Sequence, residues 1–168
     1  MPAVWSSRVF VALRQIAADL DAAAWPPHPT TNATPTVGVG DSRLTETEAD
    51  EFVDVIPRVE DDAAVEHTRV SGRDESFLVD VYVRSSVAGV NNRSVALERL
   101  EQLAEIVQGM YLSFDGRLVF TPPDFPGVAH LGGLVRVTPQ MWRTDAGWAG
   151  DCVVTFRINA RLDQEVAS

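Results

Sequence analysis

The chain has 168 residues, enough for one ordinary domain with a single core and too few for two comfortable ones. Hydrophobic residues make up 45% and charged residues 23%, a globular composition that argues against a wholly disordered chain. The net charge of −10, from 24 acidic against 14 basic residues, provides no counterion-releasing basic surface and disfavours tight nucleic-acid binding.

From Ser7 to Ala24, Phe10, Leu13, Ala17, Leu20 and Ala24 recur at spacings of three and four, with Val9 and Ile16 flanking them. This predicts an amphipathic helix capped by Ser6 or Ser7 and ended by Trp25-Pro26-Pro27. Residues 25–35 hold four prolines, so they read as an extended connector. Thr36–Val39 and Glu51–Ile56 predict two short strands, separated by an acidic, solvated loop carrying Glu46, Glu48 and Asp50; Pro57 closes or bends the second.

Between Arg58 and Glu75 the sequence is dense in mixed charge and poor in large apolar residues, predicting a protruding loop or mobile hairpin. Phe77, Val79, Val81 and Val83 then alternate with polar or exposed positions, the period of a strand with one buried face. After an Asn91-Asn92 turn, Ser94–Leu112 reads as a second helix. Val95, Leu100, Leu103, Ile106, Val107 and Met110 lie on one face, opposite Glu98, Glu101 and Glu105. A short strand over Arg117–Phe120 and a three-proline loop over Thr121–Gly127 follow.

The last third predicts an antiparallel hairpin of Gly133–Arg143 and Trp148–Leu162 around an Asp145-Ala146-Gly147 turn. On its second strand, Val154, Phe156, Ile158 and Ala160 face inward and Thr155, Arg157, Asn159 and Arg161 outward. The whole, residues 1–168, is thus a single α+β domain. It has a mainly antiparallel sheet with two helices packed on one face, a long charged loop (58–75) and a C-terminal β-hairpin.

No catalytic or ligand-binding constellation emerges. His28, His67 and His130 lie in predicted loops without metal-ligand spacing and read as exposed. Glu46, Glu48, Asp50 and Glu51 lack the spacing of a calcium loop, and Val37-Gly38-Val39-Gly40 lacks the third glycine and following helix of a phosphate cradle. No nucleophile elbow surrounds Ser71 or Ser76. Cys152, the single cysteine, reads as a packed small hydrophobe and fits a reducing compartment; Trp5, Trp25, Trp142 and Trp148 read as core or interface anchors. There is no signal-peptide-like apolar run and no segment of about 18 apolar residues to cross a membrane, so the expectation is a soluble protein made in the cytoplasm.

The ordered blocks carry a resemblance. The N-terminal helix, Val37–Gly40, Glu51–Pro57, the charged loop leading into Glu75–Ser85, the helix at Ala96–Met110 and the hairpin with Leu131-Gly132-Gly133, Gly147-Trp148 and Cys152–Arg161 together resemble tail terminator, or tail-completion, proteins of long-tailed bacteriophages. The resemblance spans Arg8 to Leu162 and lies in pattern and order; the Pro-rich segments at Pro26–Pro35 and Thr121–Gly127 match no part of it. It implies a non-enzymatic structural virion protein, assembled in the host cytoplasm and sited at the tail–neck junction. It further implies a hexameric ring that caps the tail tube protein, stops its polymerisation and joins the tail to the neck or head-completion protein, with no cofactor and with DNA passing through unbound.

On that basis the expected subunit contacts are Glu46, Glu48 and Glu51 with Arg157 and Arg161 across neighbours, and the loop residues Arg58, Arg69 and Arg73 ordered against an adjacent copy. Two other readings remain: another head–tail connector or neck adaptor, and a small hydrolase using loop carboxylates.

Overall fold

The alternation at Phe77, Val79, Val81 and Val83 sets the centre of the molecule. The computed structural model of the chain describes residues 8–39, 51–58, 68–69, 74–111 and 128–161. In chain order its elements are α1 (Arg8–Asp21), β1 (Thr36–Val39), β2 (Glu51–Pro57), β3 (Thr68–Arg69), β4 (Asp74–Ala88), α2 (Arg93–Gly109), β5 (Val128–Arg136), β6 (Gln140–Arg143) and β7 (Gly147–Arg161). The described strands form one seven-stranded sheet in the order β1-β2-β4-β7-β5, with β3 also on β4 and β6 also on β7. Only β1 on β2 is parallel; every other pairing is antiparallel, so the α+β class read from the sequence holds.

Register explains why the core lies where it does. Val53 pairs with Val83 and Val83 with Cys152; Val55 pairs with Val81 and Val81 with Val154; Val79 pairs with Phe156 and Phe77 with Ile158. Because directly paired residues share a face, these rows make one continuous apolar surface. Both helices contribute to the cluster built on it, α1 through Ala12, Leu13, Ile16, Ala17 and Leu20, α2 through Leu100, Leu103, Ala104 and Val107. Helix α1 lies against β1 and β2, and α2 against β4 and β7.

Several expectations shift. The α1 stripe is centred on Ala12, Leu13, Ile16, Ala17 and Leu20, while Phe10 is 39% exposed, because at 3.6 residues per turn Phe10 lies roughly a quarter turn from the stripe's centre. Ala24 is exposed because the helix stops at Asp21. Its end is closed by Ala23 N–H donating to the Leu20 carbonyl, which also accepts from the Trp25 indole at 2.7 Å.

Within the stretch expected to be a loop or a hairpin, Thr68–Arg69 pairs antiparallel on Glu75–Ser76, as a hairpin would, and β4 already begins at Asp74. The first arm of the predicted hairpin starts earlier, at Val128, and is interrupted over Val137–Pro139, where Pro139 has no N–H to give a ladder; Val137 still donates to the Val153 carbonyl at 2.9 Å. The Ser6 and Ser7 caps, the acidic loop with Glu46, Glu48 and Asp50, and the segment Arg117–Gly127 lie outside the described residues.

At the closing turn, Gly147 N–H donates to Thr144 Oγ1 at 3.0 Å and its carbonyl accepts from Thr144 N–H at 2.8 Å. A Cβ on Gly147 would run into the backbone of Val87, Ala88 and Gly89. Since the obstruction is main chain, Gly147→Ala is expected to destabilise the fold by about 1–3 kcal/mol, read as a lower urea midpoint with an unchanged slope.

Candidate functional site

The core face is not wholly apolar. One row along from Val53 and Val83, the same face presents Glu51 opposite Ser85. Arg99 of α2 comes down on this pair, donating from Nε to Glu51 Oε2 and from Nη2 to Oε1, both at 2.6 Å, while Ser85 Oγ donates to Oε2 at 2.8 Å. The remaining guanidinium donors reach the Pro26 carbonyl at 2.8 Å and Gln102 Oε1 at 2.9 Å. Glu51 and Arg99 are both buried, so a bidentate ion pair with its outer lone pairs and donors satisfied ties β2, β4, α2 and the Pro-rich connector into one node. Glu51 is therefore not part of a solvated acidic loop nor an exposed interface residue as read from the sequence; it is a structural carboxylate.

His28 makes the same connection one step along. It is buried rather than exposed, with Nε2 2.7 Å from the Ser86 carbonyl of β4. Its Nδ1 accepts from the backbone N–H groups of Thr30 and Thr31, each at 3.2 Å, so the proton that reaches Ser86 sits on Nε2. The connector is thus pinned to α2 through Pro26 and to the sheet through His28.

The opposite face of the sheet carries a second set of polar groups. Arg58 Nη2 donates to Asp80 Oδ1 at 3.0 Å and to Thr155 Oγ1 at 2.8 Å, and Thr155 donates to the same Asp80 oxygen at 2.7 Å. Arg58, expected at a subunit contact, is therefore paired within its own chain, and its cover leaves the outward-facing Thr155 buried. Beside it, Tyr82 donates to Asp151 Oδ2 at 2.6 Å and stacks on Phe52, and the Arg84 guanidinium lies 5.8 Å from the Phe52 ring centre and 5.1 Å from that of Trp142.

Farther along this face, Arg157 is exposed, with a single bond to Ser76 Oγ at 3.2 Å among the described residues. It stands between Leu78 and Gly133 in register, with Val135, 65% exposed, one pleat away. Arg69 and Arg161 fall at the ends of β3 and β7; Arg73 is outside the described residues, as are Glu46 and Glu48.

On the helix side, α2 and the connector enclose an open groove of about 480 Å³, lined by Pro26, Pro27, Pro29, Val95, Glu98 and Glu105, with Arg99 beneath. Glu98 and Glu105 are exposed, while Glu101 is ion-paired with Arg136 of β5. Cys152 is buried, its Sγ 3.1 Å from the Val137 carbonyl, and burial pushes its thiol above the ordinary range, which fits a packed rather than a reactive group. Trp148 is anchored by its indole on the Val90 carbonyl at 2.9 Å. Among the described residues no cluster of His, Cys, Asp and Glu could hold a metal ion, and no helix is long and apolar enough to cross a membrane. No protein-family model matches the chain, and no curated protein is significantly similar to it.

Sequence reasoning overlooks Arg99 and reads His28 as an exposed loop residue. Arg99 falls between Glu98 and Glu101, where a helix surface charge is the ordinary reading, and its partner is 48 positions away. The one available signal is that Arg99 shares a helical side with Leu103 and Ala96, inside the apolar stripe.

Two outcomes follow from this geometry. Arg99→Met leaves a buried carboxylate unpaired and is expected to lower stability by about 3–5 kcal/mol, whereas Glu51→Leu with Arg99→Met loses less than either single change; additive losses in a denaturation cycle would show the two groups to be uncoupled. The phenols of Tyr82 and Tyr111, the chain's two tyrosines, are both pushed well above their ordinary value, first by burial and then by hydrogen bonds to Asp151 and Asp19. Both stay protonated in the folded state above pH ~10, where the unfolded chain ionises. Native protein should therefore show no tyrosinate absorbance at pH ~10.5, and stability should fall as pH rises above ~10.

Proposed function

We propose that this chain is a structural virion subunit of a long-tailed bacteriophage, the tail terminator, which assembles as a ring on the last tier of tail-tube subunits, halts their polymerisation and offers its other side to the neck. The supporting observation is architectural: the blocks on which the resemblance rests, helix, paired strands, long central strand, second helix and closing hairpin, occur in that order, with the strands in one sheet and both helices in the core built on it.

The chemistry of the described residues is consistent with a scaffold role. Glu51, Arg99, Arg58, Asp80, Tyr82, Asp151 and His28 each have a structural partner. A net charge of −10 per copy suits the wall of a conduit that lets DNA slide through without gripping its phosphates. The ring is a homo-oligomer of six, with the tail tube protein and a neck or head-completion protein as its other partners.

Particles assembled without this protein, examined by electron microscopy, are expected to carry overlong tails that fail to join heads, and the purified protein is expected to show a hexameric native mass. Tails of normal length in its absence would overturn the terminator assignment.

A further inference from the structure

The two exposed surfaces described above complement each other and face away from each other. Glu98 and Glu105 stand two helical turns apart, about 10 Å, on the solvent side of α2, facing prolines that add apolar area to the groove's wall. On the far face of the sheet the exposed Arg157 is set among Leu78 and Val135. Each surface combines apolar area with charge of one sign, and the signs are opposite.

Resting on the ring reading given above, we infer that the groove between α2 and the connector receives the Arg157 patch of a second copy of this chain. Within one copy the two surfaces cannot meet, because α2 packs on the apolar face of the sheet and Arg157 stands on the other. A contact between unlike surfaces leaves every copy with one groove and one patch still open, so it propagates head to tail and ends only when the last copy meets the first; this is the heterologous contact that builds closed rings. The groove's prolines and Val135 supply apolar area removed from water, and the carboxylates fix orientation and hasten encounter. Of the acidic partners expected for Arg157, Glu51 is occupied by Arg99 inside the fold, and Glu98 and Glu105 of α2 are two exposed carboxylates on one groove that match it in charge.

The test is light scattering and native mass measurement across a dilution series of the full chain, Arg157→Glu, Glu98→Arg with Glu105→Arg, and the triple variant, with thermal unfolding run on each to verify folding. Either reversal alone is expected to weaken association at least about tenfold, and the triple variant, with its charges exchanged, to recover most of it. Reversals that assemble at wild-type concentrations, or a triple variant as weak as its parents, would overturn this pairing of faces while leaving the ring itself standing. A wild-type chain monomeric at every concentration would remove the ring and the contact together.

Discussion

The Arg99–Glu51 ion pair is the constraint on which the rest of the arrangement depends. A carboxylate and a guanidinium withdrawn from water are tolerated only when each is paired and their outer hydrogen bonds are filled. Here Ser85, Pro26 and Gln102 fill them. Because those partners come from a strand, the connector and the helix itself, satisfying the pair fixes how three separate stretches of chain sit together. The Pro-rich connector, which has no ladder of its own, is held by carbonyl and imidazole contacts at Pro26 and His28 in place of secondary structure.

The two faces of the sheet follow different rules as a result. The face toward the helices is closed by rows of valine, phenylalanine and isoleucine, with one polar row at Glu51 and Ser85. The other face alternates polar and aromatic groups: the Arg58–Asp80–Thr155 triangle, Tyr82 on Asp151, and Arg84 between Phe52 and Trp142. Among the described residues this surface is built from arginines set over rings and paired with carboxylates, and half-buried aromatics and arginines are enriched where proteins meet other proteins.

How much of this was legible in the sequence depended on the range of the interactions. Local periodicity carried the long central strand, because Phe77, Val79, Val81 and Val83 alternate without interruption, and it carried both helices to within a few residues. At α1 the periodicity gives Leu13, Ala17 and Leu20 correctly but draws the stripe toward Phe10, the largest apolar side chain there, when its other members are the smaller Ala12 and Ile16. Residues whose roles are set by distant partners were misread as a class. Glu51 resembled its acidic neighbours, Arg99 the charges around it on α2, and His28 a loop histidine among prolines; their partners lie 48 and 58 positions away, beyond any pattern in the local sequence. The parallel direction of β1 on β2 was invisible for the same reason, since the valines of Thr36–Val39 fit a strand running either way.

The buried pair also resolves an ambiguity that the apolar pattern leaves open. On the core face β2 offers Glu51, Val53 and Val55, and β4 offers Val79, Val81, Val83, Ser85 and Val87. Shifting β2 by one residue would turn its valines outward and is excluded by burial alone, but a shift of two keeps apolar rows: in one direction Val53 meets Val81 and Val55 meets Val79, in the other Val55 meets Val83 and only Val53 meets a serine, Ser85. What changes in that shift is the neighbour of Glu51: its carboxylate would move opposite Val83 or Val87, away from the Ser85 hydroxyl and from the place where Arg99 descends. A hydrophobic side chain at position 51 would bury as readily in any of these registers. The ion pair therefore contributes specificity more than net stability: it penalises the otherwise degenerate pairings, and the register it selects places the connector beside α2 and forms the groove between them.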